Sequence, residues 1–102
     1  MDSTKFGYSG KLIAHPGQRD ALAAMLLESA AELGSFEGCL LYVISVPEED
    51  PDSIWITEVW TDAAAHAASL QLESVKATIA RARPMIAGME GTKLRTLGGK
   101  GL

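Results

Sequence analysis

Apolar and polar residues alternate with a period that changes several times along the chain, and each change marks an element. Lys5 to Ala14 (KFGYSGKLIA) has a period of two, which predicts a strand with Phe6, Tyr8 and Leu12 on one face. Gly7 and Gly10 interrupt it, as a bulge or a close backbone approach would require. His15-Pro16-Gly17 ends the strand. From Pro16 to about Leu33 the period becomes helical, with Leu22, Met25, Leu26, Ala30 and Leu33 on one stripe. Pro16 suits a first helical turn and Gly34 a stop. Gly38 to Val46 (GCLLYVISV) is short, β-branched and apolar on both faces, so it is predicted as a second strand. The acidic segment Pro47 to Ser53 (PEEDPDS) reads as a solvated hairpin loop, because it has neither the sharp-turn glycine nor the closing glutamate of a calcium loop.

The next stretch, Ile54 to Trp60 (IWITEVW), carries β-branched and aromatic residues that suit a third strand. Alternation places Trp55, Thr57 and Val59 on one face and Ile54, Ile56, Glu58 and Trp60 on the other. Thr61 or Asp62 can cap a helix running to about Leu70. A further helix is predicted from Glu73 or Ser74 to Ala87, with Val75, Ile79, Ala82 and Ile86 at core spacing. Pro84 ends its regular part and Gly88 its tail. Gly91 to Leu97 (GTKLRTL) is the fourth strand, and residues 98–102 (GGKGL) are expected to form a flexible tail. The order is β-α-β followed by β-α-β, the ferredoxin-like α+β arrangement with an antiparallel sheet, in a single domain over residues 1–102.

The two-sided apolarity of the second and third strands adds a prediction. Two helices cover one face of such a sheet, and a solvated second face would show clean alternation. Leu41, Val43, Trp55 and Val59 oppose Leu40, Tyr42, Ile54 and Ile56 instead. The simplest cover for the second face is another copy of the chain, so a homodimer is expected.

Composition narrows the classes. The formal net charge of −4 and nine scattered basic residues give no footprint for nucleic acid or an anionic membrane. No apolar run is long enough to span a bilayer, and the first residues lack a signal-peptide pattern. The single cysteine, Cys39, allows no internal disulfide, which fits a reducing cytoplasm. Cys39 reads as a small buried hydrophobe with nothing nearby to activate it, and His15, beside Pro16 in a turn, as solvated.

Candidate chemistry gathers at the corner between the third strand and the following helix. Glu58, Trp60 and His66 lie close in sequence there. Burying Glu58 is costly unless it is paired or hydrogen-bonded, and Arg81, Arg83 or His66 could serve. His66 shares a helical stripe with Ala63, Ala67 and Leu70 that should face the sheet. As a structural residue it would bond to a backbone carbonyl or to Glu58. As a general base it would sit near neutrality, held neutral by the start of its helix. Trp60 could aim its N–H at a ligand oxygen, whereas Trp55 belongs to the opposite face. Tyr42 could line the same pocket. Met25, Met85 and Met89 read as core or cavity lining, with Met25 and Met85 as candidate substrate contacts.

The segments GCLLY (38–42), IWITEVW (54–60), AHAASL (65–70), ARARPMIAG (80–88) and the closing GGKGL resemble the antibiotic biosynthesis monooxygenase (ABM) domain family, especially small proteins provisionally named quinol monooxygenases. The resemblance implies a dimeric α/β barrel. It also implies oxidation of a polycyclic phenol or hydroquinone by O₂ without flavin, haem or metal, in an apolar cavity between sheet and helices. On that reading His66, Glu58 and Trp60 form the catalytic group. A small-molecule-binding or stress-response protein without chemistry is the alternative. Haem binding, found among related barrels, would need a histidine on the later helix, and Ser74 to Ala87 contains none. An isomerase of the muconolactone type has no specific residue in support.

Overall fold

The computed structural model describes residues 4–102. The elements run β1 (Lys5–Ala14), α1 (Arg19–Glu32), β2 (Cys39–Ser45), β3 (Ser53–Trp60), α2 (Ala63–Ser69), α3 (Glu73–Ala82) and β4 (Ile86–Thr96), with 3₁₀ turns at Leu33–Ser35 and Arg83–Met85. The sheet order is β2-β3-β1-β4 and every pairing is antiparallel. This is the ferredoxin-like α+β topology expected from the element order. The sheet is open rather than closed into a barrel.

Most predicted bounds lie within a few residues of those observed, and two departures have physical causes. The first helix begins at Arg19, not Pro16, because the chain turns at Pro16-Gly17 with Gly17 at φ 81. The third helix stops at Ala82. Pro84 sits in the 3₁₀ turn, and Ile86 opens the last strand. Ile86 and Gly88, read as helix core and helix stop, instead pair with Ala14 and Ile13 across β1. A cluster of apolar residues at helical spacing thus conceals a strand start, since spacing alone does not register the backbone break at Pro84. The irregularity in β1 lies at Ile13/Ala14, not at its glycines.

The helices cover one face of the sheet. Leu12, Leu22, Leu26, Ile54, Ile56 and Ala82 form one buried cluster, and Leu33, Trp60 and Val75 form a second. Met25 and Met85 pack at the edge of the first. On the other face Leu41, Val43, Trp55 and Leu94 are exposed, Trp55 by 44%. The Lys11 ammonium lies 5.5 Å from the Trp55 ring centroid, a cation–π contact. The acidic loop before β3 is folded by Asp50. Its carboxylate accepts from the Asp52 N–H at 3.0 Å and from the Ser53 hydroxyl, and its carbonyl accepts from Arg19 Nη1 at 2.9 Å.

The placement of α2 matters most for the site. Asp62 caps it, accepting the Ala65 N–H at 2.7 Å. The Thr61 N–H donates to the Gly38 carbonyl at 2.9 Å, tying the start of α2 to the start of β2. Gly38 permits a close approach, because a Cβ there would collide with the Cβ of Ala65. The inner side of α2 therefore carries Ala65, His66 and Ser69. Ala63 and Ala67, expected on the inward stripe, are exposed. We expect Asp62→Ala to lower stability by about 1 kcal/mol, the usual effect of losing an N-cap. Urea unfolding checks this, and accelerated amide exchange across 63–69 in the variant would locate the loss in α2.

Candidate active site

Strand pairing builds the floor of the site in rows. Tyr42 on β2 stands opposite Glu58 on β3, Glu58 opposite Tyr8 on β1, and Tyr8 opposite Lys93 on β4. The adjacent row runs Cys39, Trp60, Phe6 and Arg95. All these side chains share the helix-covered face, because register partners project to the same side. Above them the helices leave a cavity of about 500 Å³. Tyr8, Tyr42, Glu58 and Trp60 border it from the sheet, and His66 and Thr78 from the helices. The volume is within the usual range for small-molecule sites.

Glu58 is the buried charge of this floor, with 9% of its surface exposed. Glu58 and Trp60 are two residues apart on one strand face, so their side chains lie side by side. The Trp60 indole N–H donates to Glu58 Oε1 at 3.0 Å. His66 Nε2 lies 3.7 Å from the same oxygen, at ion-pair distance but beyond a hydrogen bond. The His66 ring is stacked near Phe6 (centroids 4.9 Å, 28°) and Tyr8 (6.2 Å, 16°), and meets Trp60 edge-on at 5.3 Å. Phe36 in turn meets Trp60 edge-on, with ring centroids 5.8 Å apart. The Ser69 hydroxyl donates to the His66 carbonyl at 2.6 Å, which satisfies a buried polar group one turn along α2.

This environment sets the protonation tendencies. Burial raises the Glu58 pKa, opposed by the Trp60 hydrogen bond, which favours the carboxylate. Burial, reinforced by the Lys93 charge, lowers the His66 pKa. The expected helix-start effect is not among the causes: His66 is the middle residue of the seven-residue α2, where the opposite effects of the two helix ends offset each other. Tyr42 is pushed well above the usual tyrosine range by burial and then by Glu58. The Cys39 thiol is raised by burial and by Glu58, the opposite of activation. Burial and Lys93 thus both favour the neutral form of His66.

The structure brings Glu58, Trp60, His66 and Tyr42 together at the cavity. Met25 and Met85 pack against the core cluster and do not border the cavity, whereas Met89 and Ile79 do. Met25 falls on the helix stripe that fills the core, and Met85 lies in the turn before β4. Arg81 and Arg83 make no ion pair with Glu58 among the described residues; the carboxylate faces Trp60 and His66 instead. The Trp60 N–H, a candidate ligand donor, is occupied by Glu58. Phe6 and Tyr8 also stack near His66, and Tyr8 borders the cavity. Their alternation on the first strand was visible, but only the β3-β1 pairing puts them beside His66.

The family profile for antibiotic biosynthesis monooxygenases matches residues 9–81, more than half of the chain. A solved structure described as a proposed antibiotic biosynthesis monooxygenase from Chloroflexus aurantiacus is 49% identical. That match covers 93% of this chain and 95% of the other, with a TM-score of 0.86. A protein from Pseudomonas aeruginosa, 22% identical, superposes over 96% of this chain and 99% of its own with a TM-score of 0.86. A proposed family member from Deinococcus radiodurans, 24% identical, covers 92% and 94% with a TM-score of 0.81. The two more distant structures share the fold. No curated protein matches the sequence significantly. The chain belongs to the antibiotic biosynthesis monooxygenase family. No helix among the described residues is long and apolar enough to cross a membrane.

The lowered His66 pKa has a defined sign for stability. Between the ordinary value of 6.5 and the depressed folded value, the unfolded chain binds the extra proton and the folded chain does not. His66 thus withdraws stability as pH falls through that window, and its penalty is absent above 6.5. We expect the His66 ring resonances to titrate below 6.5, and Lys93→Ala to move the midpoint upward but leave it below 6.5, since burial is the larger cause. Side-chain NMR across pH 4 to 8 checks both statements.

Proposed function

We propose that the protein is a monooxygenase that oxidises a quinol or related phenol with O₂, using no reductant beyond the substrate. The observation that carries this is an imidazole at the wall of an apolar cavity, 3.7 Å from a carboxylate that an indole N–H holds in place. His66 accepts the phenolic proton. The resulting phenolate is electron-rich enough to pass one electron to O₂, and the radical pair then combines at the ring. One oxygen atom stays on the ring and the other leaves as water, so a phenol plus O₂ gives a quinone plus water.

The other residues serve this proton transfer. Glu58 positions His66 and favours the imidazolium that forms, as a carboxylate does in a triad. Trp60 fixes Glu58 through the indole N–H. Tyr42, opposite Glu58, presents its phenol to the same cavity. Water exclusion by the apolar walls strengthens each of these interactions.

We also propose that the working form is a homodimer. Leu41, Val43, Trp55 and Leu94 leave one sheet face apolar and exposed in a single copy, and the open sheet needs a second sheet to bury it. A second copy packed sheet-on-sheet removes this area from water and gives the dimeric barrel.

Two experiments test these readings. O₂ uptake with a panel of hydroquinones and naphthols should exceed the uncatalysed rate, and His66→Ala should reduce kcat by about 10²- to 10⁴-fold, the usual contribution of a general base. Ligand binding without any O₂ uptake would defeat the oxygenase reading and leave a binding protein. Sedimentation equilibrium should give a dimer, and the pair Val43→Asp with Trp55→Asp should give a folded monomer; a monomer before substitution would remove the dimer proposal.

A further inference from the structure

Tyr8 and Gly91 form a device on the cavity floor that the proton-transfer chemistry does not use. Gly10 on β1 and Gly91 on β4 are register partners, so two positions without side chains lie next to each other on the helix-covered face. The Tyr8 ring occupies the space they leave. A Cβ at Gly10 would stand 3.0 Å from Tyr8 Cε1, and a Cβ at Gly91 would overlap the Tyr8 hydroxyl and Cζ. Neither glycine has a positive φ, so backbone conformation does not require glycine at either position. What requires it is the phenol lying flat on the sheet. The ring is near-parallel to His66, at 16° and 6.2 Å between centroids, with cavity on its upper side. Among the described residues no hydrogen bond engages its hydroxyl.

We infer that Gly91 determines substrate size through Tyr8, and that the Tyr8 hydroxyl is a hydrogen-bonding contact for an oxygen of the bound aromatic. This rests on the reading that the cavity takes a phenolic ligand. The physical argument is steric. Sheet backbone lies beneath the Tyr8 ring, so any side chain at position 91 lifts the ring toward His66 and narrows the space where a flat ligand would lie. The displaced group is the far end of the half-buried Tyr8 side chain, which borders the cavity, so the substitution alters the cavity and not the fold. Tyr8 and Gly91 are positioning and specificity residues. The proton still goes to His66.

The test uses the full chain and two probes that do not oxidise spontaneously, phenol and 2-naphthol, titrated calorimetrically under argon. Gly91→Ala should weaken 2-naphthol by about tenfold or more, the cost of overpacking a filled site, and phenol by less. Tyr8→Phe should weaken both probes alike by roughly 2- to 12-fold, one hydrogen bond. In a Tyr8→Ala background, adding Gly91→Ala should leave 2-naphthol affinity unchanged, because no ring remains to be lifted. Circular dichroism and the melting temperature confirm that each variant folds. Unchanged 2-naphthol affinity in Gly91→Ala, or a loss that persists in the Tyr8→Ala background, overturns the inference while the oxygenase reading stands. The predicted pattern without any O₂ uptake overturns the oxygenase reading while the inference stands. If the unaltered protein binds neither probe, the inference falls, and O₂ uptake with hydroquinones decides the oxygenase reading separately.

Discussion

The site depends on a single buried carboxylate. Glu58 sits in the third strand on the face that the helices cover, where an unpartnered charge would be expensive. Trp60, two residues on and therefore on the same face, supplies the N–H that offsets this. That bond fixes which oxygen faces His66, and it explains why a large aromatic side chain is fully buried at the end of a strand. The aromatic rings of Phe6, Tyr8 and Phe36 then gather around the Trp60–His66 pair. Replacing the carboxylate would alter the imidazole, the indole and the cavity floor together.

The parts of this that the sequence made legible are those in which distance along the chain is also distance in space. Glu58 and Trp60 follow from strand alternation, and His66 from a short turn into the next helix. The two-sided apolarity of residues 39–60 was legible for the same reason, and the exposed Leu41, Val43 and Trp55 are its structural counterpart. Asp62 rather than Thr61 as the cap needed only geometry to decide.

The parts that were not legible depend on pairing across the sheet or on backbone breaks. Tyr8 and Phe6 stand far from His66 in sequence, and nothing in the pattern of β1 reports that it lies between β3 and β4. The early start of β4 was concealed because Ile86 continues the helical spacing of Val75, Ile79 and Ala82 beyond a proline that ends the helix. Met25 and Met85 were indistinguishable from cavity residues, since a flexible apolar side chain suits a core gap and a ligand wall equally. The origin of the His66 shift was not legible either: burial and a lysine on β4 account for it, while His66, midway along α2, is as near the helix end as its start.

The close seat of Ala65 against Gly38 has a consequence for how the site comes into being. A helix of seven residues is far below the length that holds together alone in water. Most of the side chains of α2 are methyl groups, which bury little area to hold it in place. The segment gains its helical stability from its seat on the start of β2, so the helix and the cavity form together. The imidazole acquires its depressed proton affinity in the same cooperative event that encloses the space beside it. For this protein, assembly of the fold and tuning of the acid–base group are one transition.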